Sequence, residues 1–397
     1  MIVRQTTPEE NRRTEELFSI AFEYPMEDEK PQDAAEEQNL HRWAAFEDGT
    51  EEMMSLLMVT DFQMNFDGHS CLMGGMGGAA TLPQYRRKGG IRGCFEAILP
   101  WMYENGYDFS YLYPFSTAYY RKFGYECGIR RMAVKLHLGL LRPENTDGYF
   151  LLCEKKRPMT EAIRAIDQLQ EHRFNGMIRH DEAFYDWTEN PDPAKTQEFT
   201  YVCFSGDGTP KAYTTFRKAD QSDGRNLVCS RFQFLDREGF SILMQLFKSL
   251  STDHMYAKFH LPAGCSMEYL LPEWALGAFE ASFENAGMVR VVNAETALQK
   301  AQLRGSGSLI LRITDGQIPE NNGTWRLLFA NDRLLSIRRT SAEPDAELPV
   351  NVFSALLFGA LELRDAAMWM PGVKVQNPDA PFGSVFYRKP LMICDYF

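Results

Sequence analysis

Four cationic side chains and two glycines lie within nine residues of this sequence, in the segment Gln84-Tyr-Arg-Arg-Lys-Gly-Gly-Ile-Arg92. The run before it, from Cys71 to Leu82, is uncharged and rich in small residues, which is typical of a strand packed closely by another segment. After it, apolar side chains recur at helical spacing from Ile91 to Met102. The glycines therefore fall where a helix is predicted to begin, and free backbone N–H groups there favour an anion such as a pyrophosphate.

Cationic side chains in this loop can add charge-assisted hydrogen bonds to a bound phosphate. An ordinary surface turn with solvated cations is the alternative interpretation. The residues predicted to bind the anion are Arg86, Arg87, Lys88, Gly89, Gly90, Ile91 and Arg92.

Two motifs, the loop Arg-x-x-Gly-x-Ile at residues 86–91 and Tyr120-Arg-Lys-Phe-Gly-Tyr125, resemble those of the GNAT N-acetyltransferases. In that family the loop binds the pyrophosphate of acetyl-CoA, and a tyrosine four residues before the glycine lies beside the thioester. Ile91 stands where the family usually has glycine or alanine. The resemblance implies that Tyr120 is the general acid, whereas the residues alone favour a packing role for Tyr120 or its neighbour Tyr119.

Composition restricts the class of protein. The chain has 397 residues, 44% of them hydrophobic, which predicts two or three packed domains and argues against disorder. Its eight cysteines are scattered, with no pair at metal-ligand spacing, so we expect neither a structural metal nor a disulfide framework. No signal peptide opens the sequence and no uncharged run approaches the ~20 residues of a membrane span, so we expect a cytoplasmic protein away from membranes.

The net charge of −12 is concentrated near the N-terminus, where residues 1–60 carry fifteen acidic and five basic side chains. Solvated helix faces explain such a segment, and an acidic mouth that attracts a cationic substrate is the functional alternative. Nucleic acid is not an expected partner of so acidic a chain.

Strand and helix patterns divide the chain into three predicted domains, residues 1–148, 149–286 and 287–397. The first domain alternates strand and helix and is expected to close with a strand at Met132 to Leu141. The second has the order of a GNAT-like domain but lacks an Arg-x-x-Gly loop. The third is expected to open at Met288-Val-Arg-Val-Val and to contain an apolar helix after Leu348.

This order resembles the Eis family of acetyltransferases over essentially the whole chain. The resemblance rests on Thr81 to Arg92, Tyr119 to Tyr125, Met288 to Asn293 and Cys394 to Phe397. It implies an α/β (α+β) fold of two GNAT acyl-CoA N-acyltransferase domains, catalytic and degenerate, followed by a sterol-carrier-like domain. It also implies a homohexamer.

Transfer of an acetyl group to an alkyl amine needs a base, since an amine of pKa ~10 is almost wholly protonated at neutral pH. By resemblance, the base is the C-terminal carboxylate, which here belongs to Phe397. A frayed terminus is the alternative. The last twelve residues, from Phe386, stay largely aromatic and apolar, which favours a docked segment.

The remaining site predictions also follow the resemblance. Backbone groups of Ala79, Ala80 and Thr81 are expected to contact the thioester and its pantetheine arm, together with Phe115 and Ser116 at the end of the next strand. The substrate mouth is predicted to contain aromatic and acidic side chains, although aromatic residues at such spacing are more often core. These are Phe22, Tyr24, Glu27 and Trp43.

The predicted activity is therefore acetyl-CoA-dependent N-acetylation of a cationic amine, by direct attack in a ternary complex. Aminoglycoside-like polyamines and lysine side chains are the acceptor classes that the resemblance suggests. A lipid carrier or interaction protein that uses the apolar segment from Val350 to Leu363 is the alternative from another class. A longer acyl group in place of acetyl is a third hypothesis.

Overall fold

A computed structural model describes residues 1–26 and 39–397, which form two compact units. Unit 1 comprises Met1–Ile129, Gly287–Lys389 and Asp395–Phe397, and unit 2 comprises Arg130–Ala286 and Pro390–Cys394. The third predicted domain therefore lies within unit 1.

The strands are, in chain order, β1 Ile2–Gln5, β2 Leu40–Phe46, β3 Met53–Phe66, β4 His69–Thr81, β5 Phe109–Leu112, β6 Glu126–Cys127, β7 Arg130–His137, β8 Tyr149–Leu152, β9 Glu198–Phe204, β10 Pro210–Gln221, β11 Gly224–Phe234, β12 Tyr256–Pro262, β13 Phe279–Asn285, β14 Met288–Val291, β15 Gly307–Thr314, β16 Gly323–Ala330, β17 Arg333–Arg339, β18 Ala346–Pro349 and β19 Lys374–Val375. The helices are α1 Asn11–Phe22, α2 Gly90–Glu104, α3 Thr117–Arg121, α4 Thr160–Arg173, α5 Asp186–Glu189, α6 Pro193–Thr196, α7 Arg237–Ser249, α8 Met267–Leu270, α9 Ala294–Lys300, α10 Val350–Phe358 and α11 Leu363–Trp369.

The first sheet of unit 1 has the strand order β1-β2-β3-β4-β5-β14-β6. Strands β1 to β4 are antiparallel neighbours, β4 and β5 are parallel, and β14 lies antiparallel between β5 and β6. The segment Met288-Val-Arg-Val-Val was expected to open the third domain, and this was wrong: Val291 pairs with Phe109 in the first sheet. All of β14 is buried, as expected for an inner strand covered on both faces.

Helices α1 and α2 cover opposite faces of this sheet. Met102 of α2 contacts Gly74 of β4 from one face, and Phe18 of α1 contacts Gly78 of the same strand from the other. Helix α1 follows a short 3-10 turn, where the Glu10 carboxylate accepts a hydrogen bond of 2.8 Å from the Thr7 N–H. The predicted N-terminal cap at Thr7 is thus present.

The sheet of unit 2 has the strand order β13-β7-β12-β11-β10-β9-β8. Met132 to Leu141 was expected to close the first domain. Instead, β7 pairs with β12 and β13, and the compact units divide after Ile129 rather than after residue 148. The cause is the alternation of apolar side chains along β7, because Val134 and Leu136 enter the core of unit 2.

A second sheet in unit 1 has the strand order β17-β16-β15-β18-β19 and carries helix α10. Every residue of α10 except Asn351 is buried. Phe358 of this helix stacks on Phe66, with ring centroids 6.1 Å apart, and meets Phe109 edge-on at 5.8 Å. The apolar helix that motivated the lipid-carrier alternative is therefore packed against strands of the first sheet.

Among the residues that the structure describes, no helix combines the length and the apolar character needed to span a bilayer. Within the same ranges, His, Cys, Asp and Glu side chains form no group of three or more that could hold a metal ion.

Candidate active site

Strands β4 and β5 separate at their C-terminal ends. Their parallel ladder runs from Met73 opposite Phe109 to Met76 opposite Leu112, where β5 stops while β4 continues to Thr81. Beyond Met76, backbone groups on this edge of β4 face a gap between the strands. An extended ligand that carries amide groups can pair with such an edge.

A β-bulge turns the backbone of β4 within this gap. On the β3 side, Met58 pairs with Gly77 and Leu56 with Ala80, so two residues of β4 lie opposite one residue of β3. The bulged Gly78 has φ of +59°, in the left-handed region that favours glycine. Backbone N–H groups of the predicted residues Ala79 and Ala80 thus follow a local change in strand direction.

Phe397 lies in unit 1 beside this part of β4. A Cβ placed on Gly77 would be 3.6 Å from the carboxyl carbon of Phe397, so the terminal carboxylate is adjacent to the strand where the gap begins. A Cβ on Gly75 would lie 2.6 Å from the Phe397 ring, so glycine is required there. The ring also packs against Phe62, with centroids 4.7 Å apart.

Other aromatic residues support the end of the chain. Tyr113, which follows β5, donates a hydrogen bond from its hydroxyl to the carbonyl of Asp395. Its ring lies 5.4 Å from that of Phe397 and 4.5 Å from that of Tyr396. The last residues are thus packed in unit 1. Sequence reasoning did not assign roles to Tyr113, Gly75 or Gly77, although the small-residue run of β4 indicated close packing.

The segment before these residues belongs to unit 2. There the Asn175 N–H donates to the Pro390 carbonyl at 2.9 Å, and the Met392 N–H donates to the Asn175 carbonyl at 3.0 Å. These bonds hold the tail in strand-like pairing.

Tyr120 lies on the short helix α3, which begins after the predicted residues Phe115 and Ser116. The Ser116 hydroxyl caps the helix by accepting a hydrogen bond of 3.4 Å from the Tyr119 N–H. The Tyr120 side chain is buried, with its ring 5.9 Å from Phe95 and 5.2 Å from Phe115. Burial, and to a lesser extent Tyr119, raise the pKa of the Tyr120 hydroxyl above its ordinary value, so it stays protonated.

A buried ion pair fixes the turn that follows Tyr120. The guanidinium of Arg290 on β14 donates through Nε to the Phe123 carbonyl at 2.7 Å and through Nη2 to both Asp315 carboxylate oxygens at 2.7 and 2.9 Å. Both charged side chains are fully buried. The next residue, Gly124, has φ of +83°, and a Cβ there would be 3.0 Å from the Arg290 Nε. Sequence reasoning missed this pair.

The cationic loop leads directly into α2, as predicted. Gly89 caps the helix with φ of +88°, and Gly90 is its first residue. A Cβ on Gly90 would lie 2.2 Å from the Ser55 hydroxyl, which in turn contacts the Thr81 hydroxyl at 2.9 Å. The first intrahelical bond runs from the Gly93 N–H to the Gly89 carbonyl at 2.9 Å, so the N–H groups of the first turn, including Ile91, precede it and face outward.

Lys88 differs from the other cations of the loop. Its ammonium lies 3.3 Å from the Glu47 carboxylate and 4.7 Å from the ring centroid of Tyr85. Hydrogen bonds to Glu52 and Glu47 raise the pKa of the Tyr85 hydroxyl to about 12. Arg86, Arg87 and Arg92 are exposed at the surface.

Unit 2 contains a comparable parallel pair, β11 and β12, which is also followed by a helix after the first of its strands. In this unit the helix N-terminus is already occupied. The Asp236 carboxylate caps α7 by accepting a hydrogen bond of 2.9 Å from the Gly239 N–H, and Lys211 binds the same carboxylate at 2.9 Å. An internal anion thus stands where a phosphate would bind, which agrees with the predicted lack of cofactor binding in the second domain.

The residues predicted for the substrate mouth do not come together. Phe22 and Tyr24, at the end of α1, are about half exposed, and Phe22 stacks on Phe18 at 5.7 Å. Trp43 is buried on the face of the sheet that α2 covers, where its ring meets Trp101 at 5.7 Å. Since α1 covers the other face, Trp43 belongs to the core. Glu27 lies outside the described residues.

The residues of the gap fit a CoA thioester. Gly75, Gly77 and Gly78 leave room beside the β4 edge, and the start of α2 provides backbone N–H groups with exposed arginines for a pyrophosphate. When bound, the cofactor would supply an activated acetyl group.

Two family descriptions match the sequence. Acetyltransferase (GNAT) domain matches residues 2–128, and Sterol carrier protein domain matches residues 294–369. No curated protein matches the chain in sequence.

Solved structures share the fold over the full chain. A conserved Enterococcus faecalis protein of unknown function, described as a probable N-acyltransferase, is 21% identical with a TM-score of 0.84, over 100% of this chain and 99% of its own. A GCN5-related N-acetyltransferase from Anabaena variabilis (16%, TM-score 0.83) and Eis1 from Mycobacterium abscessus (17%, TM-score 0.79) each match over 100% of both chains. The protein is therefore a GNAT acyltransferase that carries an N-terminal acetyltransferase domain and a C-terminal sterol carrier protein domain, with the fold of Eis1.

Proposed function

We propose that this protein transfers the acetyl group of acetyl-CoA to a primary amine of a cationic acceptor, by direct attack in a ternary complex. The acceptor classes are aminoglycoside-like polyamines and lysine side chains. The observation that carries the proposal is the terminal carboxylate of Phe397 beside Gly77, at the point where β4 and β5 separate.

In this mechanism the Phe397 carboxylate takes a proton from the acceptor ammonium, directly or through a water, and frees the nitrogen lone pair. A terminal carboxylate of pKa ~3.5 is a weak base in water, so its contribution comes from its position against the strand. Attack forms the new C–N bond as the C–S bond breaks.

Two further groups act on the charge that develops. Backbone N–H groups at Gly78, Ala79 and Ala80 follow the bulge and are available to a carbonyl oxygen that becomes negative. The Tyr120 hydroxyl gives its proton to the departing thiolate and is reprotonated from solvent. Its raised pKa keeps it in the acid form until that step.

A thiol-release assay with acetyl-CoA and a panel of polyamines, aminoglycosides and lysine peptides tests the activity. We expect turnover by the wild type, and a fall in kcat of about 10²–10⁴-fold when Phe397 is deleted. Isothermal titration with CoA should give the same Kd for both proteins. Absence of turnover with every acceptor would contradict the proposal, and full activity of the deletion variant would remove Phe397 from it.

Acyl preference, assembly and compartment are further parts of the proposal. Competition between acetyl-CoA and longer acyl-CoAs tests the acetyl group. By resemblance we propose a cytoplasmic homohexamer, and light scattering that gives the mass of a monomer would contradict the hexamer.

A further inference from the structure

Cations without carboxylate partners are concentrated around the start of α2. Throughout residues 1–26 and 39–397, Arg86, Arg87, Arg92 and Lys122 take part in no ion pair, whereas nearby Lys88 binds Glu47. A chain with a net charge of −12 offers many possible partners. A group of cations left unpaired in such a chain indicates a site for an external anion.

The charge of this group exceeds what a pyrophosphate needs. A pyrophosphate diester carries two negative charges, and backbone N–H groups at Gly90 and Ile91 already provide donors for it. A phosphate monoester adds close to two further negative charges at neutral pH. Coenzyme A carries both groups, the monoester being the 3′-phosphate of its adenosine end.

Arg92 and Lys122 lie on different elements but approach the same side chain. Arg92 is in the first turn of α2, and Lys122 directly follows α3. The Lys122 ammonium is 6.0 Å from the ring centroid of Tyr119. Burial raises the pKa of the Tyr119 hydroxyl, and the positive charge of Arg92 opposes this rise, so Arg92 acts on the same ring. The two cations therefore flank Tyr119.

The neighbouring Arg121 is not available for this purpose. Its guanidinium binds the Glu126 carboxylate through Nη2 at 2.7 Å and Nε at 2.9 Å. Glu126 also accepts a hydrogen bond of 3.0 Å from the Asn351 amide. Of the two successive cations at the end of α3, one is thus held internally, and Lys122 remains exposed.

We infer that Arg92 and Lys122 form a subsite for the 3′-phosphate of coenzyme A, separate from the pyrophosphate site at Gly89 to Ile91. The inference rests on the proposed function for the identity of the ligand. The subsite makes the protein selective for CoA over cofactors that lack the monoester, because two cations would otherwise face no anion.

Calorimetric titration with CoA and with 3′-dephospho-CoA tests the subsite without any acceptor amine. We expect the wild type to bind CoA at least about tenfold more tightly, since charged hydrogen bonds contribute on this scale. Arg92→Ala and Lys122→Ala should each weaken CoA binding by about three- to tenfold and leave the Kd of 3′-dephospho-CoA unchanged. Lys195→Ala, which removes an exposed cation of unit 2, should change neither value.

Equal affinity of the wild type for the two ligands would overturn the subsite and leave the proposed function intact. A variant that weakens both ligands by the same factor would also overturn it, because its cation would then act on the shared pyrophosphate. Failure of both ligands to bind would contradict the subsite and the proposed function together.

Discussion

At the scale of single residues, Tyr120 combines burial with a chemical role. Its hydroxyl has a raised pKa because the side chain is buried among Phe95, Phe115 and Tyr119. We expect Tyr120→Phe to lower kcat by about 10²-fold or more without changing the KM for acetyl-CoA, because only proton donation is lost. Steady-state kinetics measure both constants, and Tyr269→Phe, at an exposed tyrosine of unit 2, is the control.

The same shift predicts the pH dependence of kcat. A phenol whose pKa is raised above its ordinary ~10 keeps its proton throughout the neutral and moderately alkaline range. The rate should therefore rise with pH as the acceptor amine loses its proton, with no decline below about pH 10 from Tyr120. An alkaline decline centred near pH 8 that Tyr120→Phe removes would contradict this.

Gly75 determines whether the Phe397 ring can lie on β4. A methyl group there would come within 2.6 Å of the Phe397 ring and 2.7 Å of Phe62. We expect Gly75→Ala to displace the terminal carboxylate and lower kcat at least about tenfold, whereas Gly264→Ala, which meets no atom within 4 Å, should have no effect. Kinetics of both variants provide the measurement.

A double-mutant cycle separates this steric effect from others. Phe397→Ala keeps the carboxylate and removes the ring, so Gly75→Ala should cost little more in that background. Equal effects of Gly75→Ala in both backgrounds would contradict the steric explanation.

At the scale of elements, the Arg290 and Asp315 pair connects β14 to the turn after α3. Removing one partner leaves a buried charge without compensation. Asp315→Ala should therefore lower the free energy of unfolding of unit 1 by about 3–5 kcal/mol, measured by urea denaturation. Arg364→Ala, at an exposed ion pair, should lower it by less than about 1 kcal/mol. Similar losses in the two variants would contradict the assignment.

Helix α4 of unit 2 contains a carboxylate with a raised pKa. Burial raises the pKa of Asp167 to about 6, although the Tyr213 hydroxyl donates to it at 2.7 Å. The folded state therefore binds a proton before the unfolded state does as pH falls, and this group adds stability between about pH 7 and 4. The gain approaches about 3 kcal/mol, since each unit of pKa is worth about 1.4 kcal/mol.

Asp167→Asn carries no titrating proton and should lack this gain. We expect the difference in free energy of unfolding between wild type and variant to shift in favour of the wild type as pH falls from 7 to 4. Urea denaturation of unit 2 at several pH values provides the measurement. Parallel pH curves for the two proteins would contradict the raised pKa.

At the scale of the whole molecule, the proposed site combines residues from distant parts of the sequence. Tyr120 and the α2 loop come from the N-terminal third, Arg290 and Asp315 from the region after residue 286, and Phe397 from the end. A glycine added after Phe397 would move the carboxylate by about 3.8 Å, the spacing of consecutive Cα atoms. We expect this extension to lower kcat about 10²-fold, because proton transfer depends on position.

The matched control is the same glycine inserted before Ile2, at the exposed start of β1. It should leave kcat within about twofold of the wild type. Unchanged kcat in the C-terminal extension would contradict the role of the Phe397 carboxylate.

Local sequence patterns predicted the elements and the binding loop correctly. The helix after Gly89, the small-residue strand β4 and the helices α4, α7 and α10 depend on periodicity and turn residues, which are properties of adjacent positions. The motifs around Gly89 and Tyr120 are local in the same way, so the family resemblance could be read from them.

The tertiary structure decided which strands and side chains meet. Strands β7 and β14 were correctly predicted as strands but assigned to the wrong neighbours, because an alternating pattern does not specify the partner of a strand. Trp43 fits a mouth or a core equally well by composition, and only the side of the sheet that α2 covers assigned it to the core. Contact between Phe397 and Gly77, far apart in sequence, depends likewise on long-range packing that local periodicity does not encode.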